Sequence, residues 1–240
     1  MTTLFISDLH LASGRPDIGE QFLSFLAGEA RRSEALYILG DLFDVWLGDD
    51  DPNPYYAEMK SALRELVDAD VPVKFMHGNR DFTIGAEFAA ETGIRILDDP
   101  TVVDLYGENV LLSHGDAMCT DDVQYQQIRA VTRNPEWQAM MLATSIEERI
   151  AFANQAREES KARGESLSDE IMDVNQDAVV AVFREHGVDT MLHGHTHRPA
   201  VHAVDLGDRT ATRIVLGDWY EQGSVLRWDD NGPRLETMPR

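Results

Sequence analysis

One cysteine, Cys119, stands alone among 240 residues, so the chain cannot form an internal disulfide. Nothing in its cysteine usage asks for an oxidising compartment. No uninterrupted apolar run approaches the roughly 18 residues of a membrane-spanning helix. A basic segment ahead of the first apolar run is missing too. Met1-Thr2-Thr3-Leu4-Phe5-Ile6 meets Asp8 and His10 at once, which is not a signal-peptide pattern. Basic residues are scarce, 21 Lys and Arg against 43 Asp and Glu, for a formal net charge of -22. A field of that sign repels phosphate backbones, so a nucleic-acid partner is excluded. Low hydrophobicity, the mark of disorder, is absent because 43% of the residues are hydrophobic. The expectation is an acidic, cytoplasmic α/β protein with no obligate protein partner.

What is present alternates short β-rich runs with amphipathic stretches. Leu4-Phe5-Ile6, Ala35–Leu39 and Val71–Met76 read as strands. Between and after them, the spacing predicts helices over Asp17–Arg32, over Pro54 to about Asp68, and around Ala86–Glu91, the last stopped by Gly93. Val102–Leu105 and Val110–Ser113 flank Tyr106-Gly107-Glu108-Asn109 as a hairpin. Residues 120–167 hold no strand pattern and read as a helical insertion, with Ser145 and Glu148 spaced as a capping box. A helix over Asp169–Glu185, stopped by Gly187, precedes a strand at Thr190-Met191-Leu192. Strands near Ala211–Leu216 and Ser224–Trp228 and a turn at Asp230-Asn231-Gly232 close the chain. No linker divides it, so residues 1–240 are expected to form one domain carrying the insertion.

The polar residues fall at strand ends. Five strand runs finish in Ser7-Asp8-Leu9-His10, Gly40-Asp41-Leu42-Phe43-Asp44, His77-Gly78-Asn79-Arg80-Asp81, His114-Gly115-Asp116 and His193-Gly194-His195-Thr196-His197. In an open α/β sheet the loops at carboxyl ends of strands converge on one rim, where ligands bind. Asp8, His10, Asp41, Asn79, His114, His195 and His197 should meet there. Their imidazole nitrogens and carboxylate or amide oxygens suit two divalent ions. Such a pair can activate water and clamp a phosphoryl oxygen. One carboxylate must bridge the ions, and Asp41, after the flexible Gly40, is the best placed. His77, His193 and His202 are expected to support the site or the core, and Cys119 to be a small core residue.

The order Asp-x-His, Gly-Asp-x-x-Asp, Gly-Asn-x-Asp, His-Gly-Asp, Gly-His-x-His resembles the calcineurin-like metallophosphoesterases over essentially the whole chain. The resemblance implies an α/β sandwich of two mixed β-sheets flanked by helices. It implies one ion on Asp8, His10, Asp41 and His197, and another on Asp41, Asn79, His114 and His195. Longer blocks narrow it to a branch acting in lipid A synthesis. They are Leu36–Phe43, Gly48–Pro54, His77–Phe82, Cys119–Asp122, Ile171–Gln176 and His193–His202. That branch implies Mn2+-dependent hydrolysis of UDP-2,3-diacylglucosamine at its α-phosphate, giving UMP and 2,3-diacylglucosamine 1-phosphate. It also implies peripheral association with the cytoplasmic leaflet of the bacterial inner membrane. Matching positions imply substrate contacts from Asn79, Arg80, Asp122, Tyr125, Ser160 and His195. Relatives carry Asn and Lys a few residues after Ser160, where this chain has Gly164 and Leu167.

Arg80 departs from the commoner family pattern, which has a histidine acid there. Arginine cannot donate a proton to a leaving alkoxide, but it can grip a phosphate bidentately. A phosphate monoester, with a second pKa of about 6, leaves without an acid, which favours pyrophosphate cleavage. A generic metallophosphoesterase acting on nucleotides or phosphodiesters is the competing reading. For the side chain itself, pairing with Asp81 or Asp44 is the competing role.

From Arg129 to Arg163 the insertion carries six basic residues (Arg129, Arg133, Arg149, Arg157, Lys161, Arg163) against five acidic ones. Trp137, Met140, Met141, Leu142, Ile146, Ile150 and Phe152 lie among them. Apolar side chains beside cations would suit an acylated diphosphate, although packing onto the sheet explains most of such residues.

Overall fold

The computed structural model describes residues 2–166 and 171–240, the side chains of 160–166 excepted. Strands β1 (Thr3–Ile6), β2 (Ala35–Leu39), β3 (Val73–Met76) and β4 (Arg95–Leu97) pair in parallel. β10 (Gly223–Asp229) joins β1 antiparallel, and β11 (Gly232–Met238) joins β10, giving the order β11-β10-β1-β2-β3-β4. The second sheet holds β5 (Thr101–Leu105), β6 (Glu108–Ser113), β7 (Thr190–His193), β8 (Ala200–Asp205) and β9 (Thr210–Val215). Its order is β5-β6-β7-β9-β8, with β6, β7 and β9 parallel and the two edge strands antiparallel.

Two-residue side-chain periodicity sorts these strands into layers. Leu4 and Ile6, Leu36 and Ile38, and Val73 and Phe75 pack beneath α1 (Pro16–Ala27), α2 (Pro54–Asp68) and α3 (Ala86–Thr92). The alternate residues Phe5, Tyr37, Leu39 and Met76 face Val110, Leu112, Leu192 and Ile214 of the second sheet. Leu111 and Met191 on its far face meet Val179 and Phe183 of α7 (Gln176–His186). Each fully buried aliphatic or aromatic side chain contributes about 1.5–3 kcal/mol, so both sheets are held on both faces. Helices α4 (Val123–Thr132), α5 (Pro135–Leu142) and α6 (Ile146–Ser166) follow the rim of β6.

Several boundaries differ from the sequence reading. α1 ends at Ala27, where the Gly28 N–H closes on the Ser24 carbonyl, and Ala30–Arg32 forms a separate single turn. α7 begins at Gln176 because Asn175 accepts from the Ala178 N–H at 3.0 Å; Asp169 lies outside the described residues. Three strands lacked a sequence signal. β4 has only three residues, and β8 leaves Val201 61% exposed on a sheet edge directly after the histidine motif. β11 carries Pro233 and two charged residues, Arg234 and Glu236, which an edge strand tolerates. The capping box is present: Ser145 N–H donates to Glu148 Oε2 at 2.9 Å and Glu148 N–H to Ser145 Oγ at 3.3 Å.

Candidate metal centre

β1, β2, β3, β6 and β7 deliver their terminal loops to one rim, stitched by main-chain hydrogen bonds. Asp8 N–H donates to Gly40 O at 3.0 Å, His10 N–H to Asp41 O at 3.0 Å, and Gly194 N–H to His114 O at 2.9 Å. Among the described residues, seven non-glycine residues have positive φ, and five of them are Asp8, His10, Asp41, His195 and His197. Such backbone costs of order 1–3 kcal/mol per residue and clusters at functional sites. Small residues admit the crowding. A Cβ on Gly78 would overlap the Asp41 carboxylate, and one on Gly194 would overlap that of Asp8.

All seven expected donors meet. His10 Nε2 and His197 Nε2 lie 3.3 Å apart, and His197 Nε2 lies 3.4 Å from Asp8 Oδ1. On the other side, Asn79 Oδ1 lies 3.1 Å from His114 Nε2 and 2.9 Å from His195 Nδ1. Asp41 stands between: Oδ2 is 3.8 Å from His10 Nε2 and Oδ1 is 3.8 Å from His114 Nε2. Donor atoms of Asp8, Asp41 and His114 also fall within 4.8 Å of one another.

The donor chemistry fits cations. His114 Nδ1 donates to the Leu39 carbonyl at 2.9 Å, which aims Nε2 at Asn79 Oδ1, where the metal-free ring keeps a proton that a cation can replace. Two acceptors facing each other need a proton or a cation between them. Burial pushes His10 and His195 down to about 3, keeping their lone pairs available. Burial also opposes a charge on Asp8, but the His197 hydrogen bond and charge hold its pKa well below the usual carboxylate range. Burial would likewise lower His114, yet Asp41, Asp116 and Asp8 raise it to about 9.

That shift gives an expected pH dependence. A raised pKa stabilises the metal-free fold below its ordinary 6.5, and the gain fades as pH rises towards 9. Cation binding must displace the His114 proton, so affinity should rise up to about pH 9, roughly tenfold per pH unit for each proton released. Calorimetric titration with Mn2+ between pH 6.5 and 9 reads this slope; a flat profile would remove His114 from the site.

Substrate-contact candidates distribute unequally. Asn79, Arg80 and Tyr125 line a cavity of about 490 Å³ that opens beneath α4, α5 and α6. His195 adjoins it, its ring 5.8 Å from that of Tyr125. Asp122 caps α4, Oδ1 accepting from the Tyr125 N–H at 2.9 Å, and does not line the cavity. Ser160 lies on α6, and its side chain, with those of Lys161, Arg163 and Gly164, falls outside the described residues, as does Leu167. Neither alternative partner of Arg80 holds its guanidinium. Asp81 accepts from the Gly78, Leu42, Asp41 and Phe43 N–H groups, and Asp44 pairs with Arg157 at 2.5 Å.

Several tertiary contacts behind the site lacked a sequence signal, although their residues did not. Buried Asp116 accepts from Tyr125 Oη at 2.7 Å and Arg129 Nε at 2.9 Å, fastening α4 to the rim. Arg133 donates to Gly78 O at 3.0 Å, and buried Arg149 pairs with Asp50 at 2.6 Å. The basic residues of the insertion that are described therefore tie it to the body. Among its apolar residues, Trp137, Met141 and Phe152 line the cavity with Trp46, Phe82 and Ile128; Ile146 and Ile150 do not. His77 and His193 stand behind the rim: His77 Nε2 donates to Ile84 O at 2.7 Å, and His193 Nε2 accepts from Arg213 at 3.1 Å. Cys119 is buried in the core under α7, its thiol pushed up to about 12 by burial.

A model of the calcineurin-like phosphoesterases matches residues 1–199. The chain belongs to that family, whose fold implies divalent metal binding, and the rim donors are the candidates for it. It is 55% identical to the UDP-2,3-diacylglucosamine hydrolase of Stenotrophomonas maltophilia strain R551-3, with 100% of both chains covered. It is also 55% identical to the enzyme of the same name from Xanthomonas oryzae pv. oryzae strain PXO99A, covering 99% of each. A solved archaeal phosphodiesterase shares the fold, with a TM-score of 0.51 at 14% identity over 99% of this chain and 100% of that one.

Proposed function

We propose that this chain hydrolyses UDP-2,3-diacylglucosamine to UMP and 2,3-diacylglucosamine 1-phosphate, using two divalent ions, with Mn2+ the expected metal. The observation that carries the reading is the mainly apolar cavity opening directly from Asn79 and Arg80. One site thus offers phosphate chemistry at its mouth and acyl shelter behind it. His10, His197, Asp8 and Asp41 would hold one ion, and Asp41, Asn79, His114 and His195 the other. When bound, such ions lower the pKa of water and offset charge on the phosphoryl group.

The chain's own residues set the direction of cleavage. Arg80 binds the diphosphate as a fixed cation and supplies no proton. Tyr125, held by Asp116, closes the cavity side of the site, and Asp122 fixes Tyr125 by capping α4. Water oxygen bonds to the α-phosphorus while the anhydride P–O bond to the bridging oxygen breaks. That electron pair leaves on the sugar phosphate, which needs no acid. Asp81 holds the loops bearing Asp41 and Asn79 together through its four N–H donors.

No helix among the described residues is long and apolar enough to cross a membrane. Peripheral contact with the cytoplasmic face of the inner membrane fits a lipid substrate. It is supported by Val123 and Met140 on the insertion, 63% and 62% exposed. Hydrolysis with Mn2+ in 18O-water tests the function, with label expected in UMP. Label confined to the lipid phosphate would refute the α-phosphate attack. Turnover of a nucleotide or alkyl phosphodiester but not of UDP-2,3-diacylglucosamine would refute the substrate.

A further inference from the structure

The rim has two ends, and the cavity serves mainly one, bordering the other at Asp44, whose carboxylate lies 3.8 Å from His10 Nδ1. Asn79, Arg80, Asp116 and Tyr125 line it, whereas His10, His197 and Asp8 do not. A substrate made of two halves joined by a diphosphate has its acylated half in the cavity. Its nucleoside half must then lie elsewhere on the rim. This step rests on the function proposed above.

Tyr220, in the loop between β9 and β10, stands at that other end. Its ring stacks on His10 with centroids 5.2 Å apart and planes 13° from parallel, and meets the His197 ring at 5.7 Å. One face is thus occupied, yet the residue remains 39% exposed and does not line the cavity. The loop is anchored. The Tyr220 carbonyl accepts from Arg15 Nη2 at 2.6 Å and Arg240 Nη2 at 2.9 Å, and both arginines pair with Asp17. A large aromatic held rigidly beside a phosphate site, one face covered and the residue still exposed, matches what a pyrimidine needs for stacking.

We infer that Tyr220 is a stacking platform for the uracil of the substrate and of the product UMP. The inference adds a nucleobase subsite at the end of the rim opposite the acyl cavity. Base–aromatic stacking is worth roughly 5- to 150-fold in affinity.

Equilibrium binding of UMP and of ribose 5-phosphate to the Mn2+-loaded protein separates base from phosphate. Wild-type protein should prefer UMP by a factor in that range, and Tyr220→Phe should keep the preference. Tyr220→Ala should abolish it while leaving ribose 5-phosphate affinity and metal content unchanged. If Tyr220→Ala weakens both ligands equally, or sheds metal, the ring only positions His10 and the inference is overturned. A wild-type protein indifferent to the base overturns it too. Turnover of UDP-2,3-diacylglucosamine by wild type separates the two claims. Its absence defeats the proposed function; turnover with no base-selective loss in Tyr220→Ala defeats the subsite alone.

Discussion

Asp41→Asn is expected to abolish turnover and to empty at least one metal position while leaving the fold intact. The backbone should survive because Asp41 has φ +51, a conformation that asparagine adopts with little penalty. The Gly78 approach survives too, since an amide occupies the same volume as a carboxylate. What changes is charge. Oδ2 faces His10 Nε2 and Oδ1 faces His114 Nε2, each at 3.8 Å, so the residue can serve both donor sets only with an anionic oxygen on each side. An amide presents one neutral oxygen and one N–H2 that cannot coordinate. Loss of a group that merely orients a metal ligand typically costs roughly 10–100-fold. Loss of a ligand shared by two ions should exceed that. Metal analysis, circular dichroism and kinetics on the same preparation check the claim. Two ions retained per chain with near-normal turnover would remove Asp41 from the bridging position.

The rim was legible because its residues break the apolar pattern at the same point of successive strands. Leu4-Phe5-Ile6 and Ala35–Leu39 can only be buried, so Asp8, His10 and Asp41 had to emerge where those strands stop. The residues behind the rim leave no such trace. Asp116 was visible as part of His-Gly-Asp, but its partners Tyr125 and Arg129 belong to a helix whose docking depends on tertiary packing. Tyr220 follows Trp219 in a loop, and only the return of β10 beside β1 brings it over His10. Charge counting failed in the insertion for a related reason. A tally of arginines cannot separate those facing ligand from Arg149, which is 5% exposed and spends its donors on Asp50 and the Leu47, Leu142 and Thr144 carbonyls. Helix α6 posed the same difficulty: Ile146, Ile150 and Phe152 are all apolar, but only Phe152 reaches the cavity.

That difference yields the second large effect. Phe152→Asp should raise the KM for UDP-2,3-diacylglucosamine strongly, whereas Ile150→Asp on the same helix should change it little. Phe152 lines the cavity, with its ring 5.5 Å from Trp137, which in turn lies 6.3 Å from Phe82. Together they form a continuous apolar wall leading from Arg80. Acyl burial is worth about 0.8 kcal/mol per CH2, so three sheltered methylenes would account for about 2.4 kcal/mol, roughly 60-fold in affinity. A carboxylate on that wall forfeits the contact and sets an unpaired charge against hydrocarbon. The fold should tolerate it, because Phe152 is 40% exposed in the substrate-free protein and the charge can stay hydrated there. Turnover of a small soluble phosphodiester needs the metal centre and not the wall, so it should be nearly unchanged. If Phe152→Asp depresses both substrates equally, the residue holds α6 in place and the wall does not bind acyl chains. If Ile150→Asp matches it on the lipid substrate, the chains lie on the outer face of the helix instead.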